Sequence, residues 1–367
     1  MQKKLMSLKN KALFEINDKF SVIHMKNNNK GNKMNNFKKV GLTALAGSLA
    51  AISANAAELA VSGASVLTYT TEDTTETTGN PYGMKTNLSF TGSGEVNGYT
   101  VSYMQTSKDQ FAGMSSARLS VDMGDMGTVA FDQGSGSGLA TIDDKTPTAN
   151  EEIWDGLDGA GASKTSVGGL VGAAGNSGVF NYVNTFEGVK LNVAARTGAG
   201  SSNSDGSTSG ASANNGNAWD FALTTDGAMM GVDGLAIGAG YGKADPGNAY
   251  SDTKHTTAFA NYSLGPVTFG AQVSDIAYGN QTGAIDEETQ AWGVALNINE
   301  NLSVSYGERD VDYVAVASTT TESGEGVAVA YTMGSMKIAG NQNEVSNNGG
   351  TLATTDKMTE IAVSFAF

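Results

Sequence analysis

The sequence predicts an all-β fold: a closed antiparallel barrel of sixteen strands that spans a membrane, with short turns at one rim and long loops at the other. Three observations predict this fold. Sixteen segments between residues 57 and 367 alternate apolar and polar side chains, which is the period of a strand with one apolar face. The connectors between them alternate between short and long, and the amino end carries an export signal.

The amino end divides into two parts before the barrel domain begins. Residues 1–33 are rich in Lys and Asn, and we interpret them as an upstream extension before a start at Met34. Residues 34–56 are typical of a secretory signal peptide, with two lysines, an apolar run at 40–52 and the small residues Ala54 and Ala56 at the cleavage site. A transmembrane helix is the alternative, but the run is shorter than the roughly 20 residues that a span requires. Residues 57–367 then form one barrel domain.

Composition excludes several classes of function. The chain has no Cys and only two His, His24 and His255, which excludes a disulfide framework and a cluster of thiolate or imidazole metal ligands. Residues 1–56 hold ten of the 22 basic and two of the 37 acidic residues, so residues 57–367 carry a formal net charge of −23. Such a surface repels nucleic acid and attracts cations. We therefore expect neither an enzyme nor a nucleic-acid partner.

Each predicted strand carries its large apolar residues in one register, from ELAVSGASVLTY (58–69) to TEIAVSFAF (359–367). In chain order these residues are Leu59, Val61, Leu67 and Tyr69; Leu88 and Phe90; Tyr99, Val101 and Tyr103; Ala117, Leu119 and Val121; Val129 and Phe131; Phe180 and Tyr182; Val189, Leu191, Val193 and Ala195; Trp219, Phe221 and Leu223; Leu235, Ile237 and Tyr241; a weak segment at 255–264; Val267, Phe269 and Val273; Trp292, Val294 and Leu296; Leu302, Val304 and Tyr306; Val327, Val329 and Tyr331; Met336 and Ile338; and Ile361, Val363, Phe365 and Phe367. An even number of strands of about ten residues is typical of outer-membrane barrels.

The connectors assign the two rims of the barrel. Short connectors lie at 124–127, 186–188, 264–266, 299–301 and 333–335, and long ones at 71–82, 197–217, 243–254 and 319–326. This alternation predicts periplasmic turns, extracellular loops and both termini on the periplasmic side. The Ser/Asn/Gly-rich stretch at 197–217 could instead be a linker between domains, but the strand pattern resumes unchanged after it.

Charged residues support the assignment of faces. Ten of them lie well inside strands and out of register with the large apolar residues: Lys85, Arg118, Asp122, Asp132, Lys190, Arg196, Asp220, Arg309, Lys337 and Glu360. A basic side chain on the lipid face at mid-bilayer costs about 2 to 4 kcal/mol, which explains the separation. Four exceptions lie at the long-loop ends of strands: Glu288, Glu325, Lys243 and Lys357. A soluble half-buried sheet would sort its charges in the same way, so the export signal and the loop lengths are needed for the membrane assignment.

With these features the chain resembles the Gram-negative general porins, most closely the sixteen-stranded porins of alphaproteobacteria. The resemblance rests on the signal peptide, the first strand, the segment GDMGTVAFDQG (124–134) and the terminal VSFAF (363–367). It implies a homotrimer in the cell outer membrane, in contact with lipid and lipopolysaccharide. It also implies that Phe365 and Phe367 are read by the outer-membrane assembly machinery.

The resemblance further implies a pore constriction formed by the third long loop, which folds inward. The matching segment is residues 134–176, whose acidic residues would face basic residues on the barrel wall. The loop acids are Asp143, Asp144, Glu151, Glu152, Asp155 and Asp158, with Trp154 and Leu157 as anchors. The basic wall residues are Lys85, Arg118, Lys190, Arg196, Arg309 and Lys337. For any single acid, the alternative is that it only solvates the loop.

Other sequence signals point to weaker possibilities. The segments SNSDGS (202–207) and IDEE (285–288) could bind Ca²⁺ through oxygen ligands, although solvated loop charge explains them as well. The glycine-rich segments at 134–138 and 238–242 lack the following lysine and helix of a phosphate-binding loop. No other cofactor is expected.

The sequence therefore predicts a channel for the passive diffusion of small hydrophilic solutes and ions, with a preference for cations because the chain is acidic. The first alternative is a substrate-specific outer-membrane channel with a solute-binding constriction. The second, from a different class, is an exported adhesin or surface β protein.

Overall fold

The computed structural model describes residues 58–72, 79–108, 113–157, 169–175, 177–198, 216–247, 250–281, 284–314 and 319–367. Sixteen strands close into one antiparallel barrel, as predicted. In chain order they are β1 (Glu58–Glu72), β2 (Tyr82–Val96), β3 (Tyr99–Ser107), β4 (Met114–Asp122), β5 (Thr128–Gln133), β6 (Ser177–Phe186), β7 (Val189–Arg196), β8 (Ala218–Asp226), β9 (Leu235–Ala244), β10 (Thr253–Leu264), β11 (Val267–Ala277), β12 (Asp286–Asn297), β13 (Leu302–Val314), β14 (Glu322–Met333), β15 (Met336–Ser346) and β16 (Thr355–Ala366).

Every strand pairs with its neighbours along the chain, and β1 pairs with β16 to close the ring. Leu67 lies opposite Val363, and the terminal Phe367 exchanges backbone hydrogen bonds of 2.8 and 2.9 Å with Gly63. The apolar carboxyl end is therefore the last paired segment of a wall without free edges. A closed wall is the arrangement that satisfies all strand backbone groups inside a lipid bilayer.

Alternation places the large apolar side chains on the outside of the barrel. In β1, for example, Leu59 and Val61 are exposed on the outer face, while Val66 and Thr68 line the lumen. The register puts all ten of the charged residues that were predicted to lie inside strands on the lumen face. Lipid and water are thus separated by the wall, since each strand has one face for each solvent.

Strands on one side of the barrel extend further toward the long-loop rim than the sequence pattern predicted. The predicted loop at 319–326 is wrong at its carboxyl side, because β14 already begins at Glu322. The extra strand length carries outward-facing acids that the sequence analysis missed: Asp275, Glu308, Asp310, Asp312 and Glu344. They lie on the same face as the predicted exceptions Glu288 and Glu325.

An aromatic pair marks the lower limit of these outward-facing acids. Trp292 and Tyr306 stack edge to face with ring centroids 5.6 Å apart. Trp292 Nε1 donates to Glu308 Oε2 at 3.2 Å, and the Tyr306 hydroxyl donates to Glu308 Oε1 at 2.6 Å. Aromatic side chains with an apolar body and a polar tip are typical of the boundary between hydrocarbon and headgroups. The acids above the pair therefore lie at headgroup level, where water and ions solvate them.

Two-residue hairpins at the short-turn rim have a simple local cause. Asn97 and Gly98 both have positive φ values, 53° and 83°, and Glu187 and Gly188 have values of 48° and 86°. These are the dihedrals of a type I′ turn, whose twist matches that of the paired strands. Within the described ranges, none of the helices has the length and apolarity that crossing a membrane requires.

Candidate functional site

The segment after β5, residues 134–176, is called the constriction loop below; the structure describes its residues 134–157 and 169–175. The loop begins at a polar clamp. Asp132, fully buried on the lumen face of β5, accepts hydrogen bonds from the Ser135 amide at 3.0 Å and the Ser137 hydroxyl at 2.7 Å. Arg118 Nη1 lies 3.7 Å from Asp132 Oδ2 and donates to the Gly136 carbonyl at 3.2 Å. The clamp turns the chain from the rim into the lumen.

Asp220 of β8 holds both legs of the constriction loop. Its Oδ1 accepts the Leu139 amide at 2.9 Å on the outgoing leg, and its Oδ2 accepts the Ala174 amide at 2.7 Å on the returning leg. The carboxylate is almost fully buried beneath the loop. Because hydrogen bonds to a charged acceptor are stronger than neutral ones, this one side chain fixes the two legs against the wall together.

Further along, amide and hydroxyl side chains of the wall hold the loop backbone. Gln272 of β11 accepts the Lys145 amide at 2.7 Å and donates to the carbonyls of Ile142 and Asp143 at 2.9 and 3.0 Å. Ser305 of β13 accepts the Ala149 amide at 2.8 Å. Asn343 of β15 donates to the Glu152 and Asp155 carbonyls at 3.0 and 2.8 Å. The loop thus follows the inner wall from β8 to β15.

Apolar contacts bury the same path. Leu139, Ile142 and Val171 of the loop form one cluster with wall residues Ala222, Phe259 and Ile276, and Leu157 forms another with Val345 and Met358. Burial of a Leu or Ile side chain contributes about 1.5 to 3 kcal/mol. The loop therefore folds inward and packs against the wall, as the resemblance implied.

Among the described residues, the opposite side of the lumen holds a cavity, called the open passage below. This cavity of 480 Å³ lies between the loop tip and the wall made by β1, β2 and β16. The wall contributes Ala64, Val66, Thr68, Thr70, Lys85, Asn87, Met358 and Glu360, and the loop contributes Glu151, Asp155 and Gly156. Three carboxylates therefore face one lysine across this passage. Lys337 lies near enough to Glu151 to act on it electrostatically.

Burial changes the acidity of the loop carboxyls, which lie outside the spanning strands. Desolvation raises the pKa of Asp155 to about 7, and the neighbouring Glu152 adds to the effect. Desolvation likewise raises the pKa of Asp144 to about 6, and it raises the pKa values of Asp143 and Glu151. Part of the negative charge at the passage is therefore titrated close to neutral pH.

The predicted basic residues have different surroundings. Lys85 is exposed in the passage, and Lys337 is half-exposed nearby. Lys190 is exposed on the lumen face beside the turn at 187–188, and Arg196 is half-buried, with Nη1 3.9 Å from the position that a Cβ on Gly175 would take. Arg118 belongs to the clamp at the base of the loop. Arg309 is buried behind the loop rather than exposed to the passage.

The remaining predicted positions separate into three groups. Phe365 and Phe367 are exposed on the outer face at the carboxyl end. At 285–288, Glu287 faces the lumen while Asp286 and Glu288 face outward, so the three acids do not converge; no group of three or more such ligands forms among the residues that the structure describes. Asp158, the SNSDGS segment at 202–207 and residues 1–56 lie outside the described residues.

The comparisons with known proteins agree with this geometry. The profile of the Gram-negative porin family matches residues 41–367. The chain belongs to the Gram-negative porin family. Members of this family are channels of the outer membrane. No curated protein sequence matches this porin.

Solved porin structures share the fold of this chain. An anion-selective porin from Comamonas acidovorans is 12% identical, with a TM-score of 0.58 over 85% of this porin and 100% of that chain. A mutant of the Rh. blastica porin is 16% identical, with a TM-score of 0.57 over 84% and 100% of the two chains. OmpT, an outer-membrane protein of Vibrio cholerae, is 11% identical, with a TM-score of 0.57 over 84% and 97%. At such identities the similarity shows the fold alone.

The residues that fix the constriction loop of this porin were largely missed at the sequence level. The sequence pattern identifies Asp132 and Asp220 only as charged residues on the lumen face, and it does not single out Gln272 or Asn343. The sequence does contain a signal for these contacts, which is the presence of Gln and Asn at inward-facing positions of β11 and β15. Amides there can serve backbone groups that enter the barrel.

Proposed function

We propose that this porin is a passive diffusion channel for small hydrophilic solutes and ions in the outer membrane, that it prefers cations, and that it catalyses no reaction. The observation that carries the cation preference is the open passage, where Glu151, Asp155 and Glu360 face Lys85. A ring or patch of one charge sign at a narrow aqueous passage concentrates counter-ions and repels co-ions. With Lys337 nearby, three carboxylates against two lysines give the passage a net negative charge above the pKa of Asp155, and this charge favours cations.

Planar-bilayer recording tests the proposed function. Purified porin should insert as discrete conductance steps, and a KCl gradient should give a reversal potential of the sign that K⁺ preference produces. Reversal toward the chloride potential would remove the cation preference. The absence of steps from detergent-purified protein that is folded and heat-modifiable would remove the channel itself.

The substrate-specific alternative is favoured by one observation: the 480 Å³ cavity combines carboxylates, hydroxyls and one lysine, and could hold a small polar solute. Such a channel would show conductance that saturates with solute and block of ion current by the same solute. A diffusion channel would show neither. The adhesin alternative predicts protein that stays soluble after extraction without detergent.

The pH dependence of selectivity follows from the raised pKa values. As the pH falls from 8 to 5, Asp155 and Asp144 take up protons near pH 7 and 6, so the cation preference should fall well above the pKa of an ordinary Asp. The D144N/D155N variant should show a flatter profile when reversal potentials are measured at pH 8, 6.5 and 5. A selectivity profile that is the same in the variant and the parent would contradict this assignment.

The same raised pKa values affect stability. The folded barrel binds these protons more tightly than the unfolded chain, so its stability should rise as the pH falls from 7 toward 3.8.

We further propose that residues 34–56 are removed on export, that the barrel assembles as a homotrimer among lipid and lipopolysaccharide, and that Phe365 and Phe367 form the assembly signal. Phe367→Ala keeps the backbone pairing with Gly63 but removes an exposed ring. It should lower the amount of heat-modifiable porin in the outer-membrane fraction severalfold. Phe90→Ala removes an exposed ring from the outer face of β2 and serves as the control. Equal losses in both variants would argue for a general lipid contact instead of a signal.

A further inference from the structure

Arg309 of β13 occupies a closed site behind the constriction loop. Its side chain is 4% exposed, and Nη1 lies 3.5 Å from Glu322 Oε1. The guanidinium lies over the indole ring of Trp154, 5.1 Å from the ring centroid. Nη2 has no hydrogen-bond partner among the residues that the structure describes. Arg309 is therefore a buried cation that contacts the loop tip and does not line the open passage.

Glu322 is held by hydrogen bonds from groups other than Arg309. It is 1% exposed, and its Oε2 accepts the Tyr313 hydroxyl at 2.9 Å and the Gly349 amide at 2.8 Å. These bonds fix the carboxylate whatever the position of the loop. Because the carboxylate is fixed, the guanidinium of Arg309 that pairs with it is also fixed. Its planar face therefore has a defined position for contact with the loop.

The returning leg of the loop closes the other side of Arg309. Gly169 has a φ of 81°, and a Cβ there would overlap Thr289 Oγ1 and lie 2.7 Å from Arg309 Nη2. The Gly169 amide donates to Glu287 of β12. The guanidinium is thus enclosed between the two legs of the loop. A stacked Arg–Trp contact is strengthened where water is excluded.

We propose that Arg309 is a positioning residue for the pore constriction, because by stacking on Trp154 while paired with Glu322 it fixes the loop tip that carries Glu151 and Asp155. This inference rests on the proposed function, in which these two acids set the cation preference. Trp154 adjoins Asp155 in the chain, so a displaced indole displaces the carboxylate from the passage. Arg309 acts on permeation through this geometry and does not itself touch the permeating ions.

Charge-conserving variants test the proposal. Trp154→Leu removes the stacking partner, and Arg309→Lys keeps the positive charge but loses the planar face that stacks. Both leave the formal charge of the lumen unchanged, so any change in selectivity must come from moved carboxylates. We expect both variants to show several conductance levels in place of one and at least a twofold drop in the permeability ratio of K⁺ to Cl⁻. Trp154→Phe should restore the wild-type record.

Controls separate positioning from stability and from the proposed function. Trp219→Leu makes the Trp154→Leu exchange at an outward-facing tryptophan of β8 and should leave the record unchanged. If Arg309→Lys fails to fold, the R309M/E322Q variant removes both buried charges, keeps an acceptor for the Tyr313 hydroxyl and the Gly349 amide, and should fold but behave as Trp154→Leu does. Single-channel recording samples only folded barrels, so reduced stability alone would not alter the conductance levels.

A readout that does not need conduction completes the test. The chain has no cysteine, so Ala149→Cys provides one reporter on the loop. Its labelling by a water-soluble maleimide should be slow in the parent and at least fivefold faster when Trp154→Leu or Arg309→Lys is added. Equal labelling rates, or wild-type conductance and selectivity in both variants, would overturn the proposal. A parent that does not conduct would instead overturn the proposed function, and the labelling rates would still decide the role of Arg309.

Discussion

Replacing Glu151, Asp155 and Glu360 with Gln, Asn and Gln is expected to abolish the proposed cation preference of this porin and to shift its selectivity toward anions. The three carboxylates and Lys85 line the same open passage, and Lys337 acts on Glu151 from nearby. The variant leaves the two lysines without opposing charge. One charge at about 4 Å is worth about 1 kcal/mol even in bulk water, so the loss of three should change the ratio of cation to anion permeability by roughly tenfold or more. Reversal potentials in a KCl gradient measure this ratio.

A matched control for this variant exists on the other side of the wall. Glu308, Glu325 and Glu344 face outward on β13, β14 and β15, and their replacement with Gln changes the net charge by the same amount. Salt screens exposed charges beyond about 10 Å at 0.1 M, so the outer variant should keep nearly the wild-type reversal potential. Equal shifts in both triple variants would mean that overall charge, rather than the passage, sets the selectivity.

Replacing Asp220 with Ala is expected to release the constriction loop from β8. The substitution leaves the Leu139 and Ala174 amides without their acceptor in a buried site. Each unsatisfied buried group costs about 1 to 3 kcal/mol, so the folded barrel should lose roughly 2 to 6 kcal/mol unless the loop moves to reach water. Movement of the loop would widen the lumen. The expected result is a larger conductance together with a lower temperature of the heat-induced gel shift.

Asp122→Ala provides the comparison for the Asp220 variant. Asp122 lies on the lumen face at the end of β4 and, among the residues that the structure describes, accepts one hydrogen bond, from the Gly124 amide at 3.0 Å in an exposed turn. Its loss should change stability by less than about 1 kcal/mol and leave the conductance as it is. A conductance that rises equally in both variants would indicate a charge effect in the lumen. Unchanged conductance in Asp220→Ala would show that the apolar clusters hold the loop without the carboxylate.

The strand registers could be predicted because lipid imposes a strict rule on alternate residues. The placement of Lys85 and Glu360 on the lumen face follows because each is out of register with the large apolar residues of its strand, such as Leu88 and Phe90 in β2 and Ile361 and Val363 in β16. The vertical limit of the apolar band could not be predicted in the same way. Glu308 and Glu344 keep the outward register and differ from their neighbours only in height, and a period of two contains no information on height.

The constriction loop was predictable in its length and charge and unpredictable in its contacts. Its path has no period, and its backbone is held by wall residues far away in the chain, such as Asp220 and Gln272. The sequence therefore identified Arg118 and Arg309 as lumen-facing cations but could not indicate that both are engaged by the loop. Only Lys85 and Lys337 among the predicted basic residues lie near the open passage with the acids.

The contact between the loop and the strands from β8 to β15 divides the interior into two unlike halves. One half behaves as a packed protein core, in which polar side chains such as Asn343 are structural parts. We expect ions and solutes to pass through the other half, along β16, β1 and β2. Substitutions on those three strands and on the facing tip of the constriction loop should therefore alter permeation, in evolution or in engineering. Substitutions in the packed half should mainly impair folding.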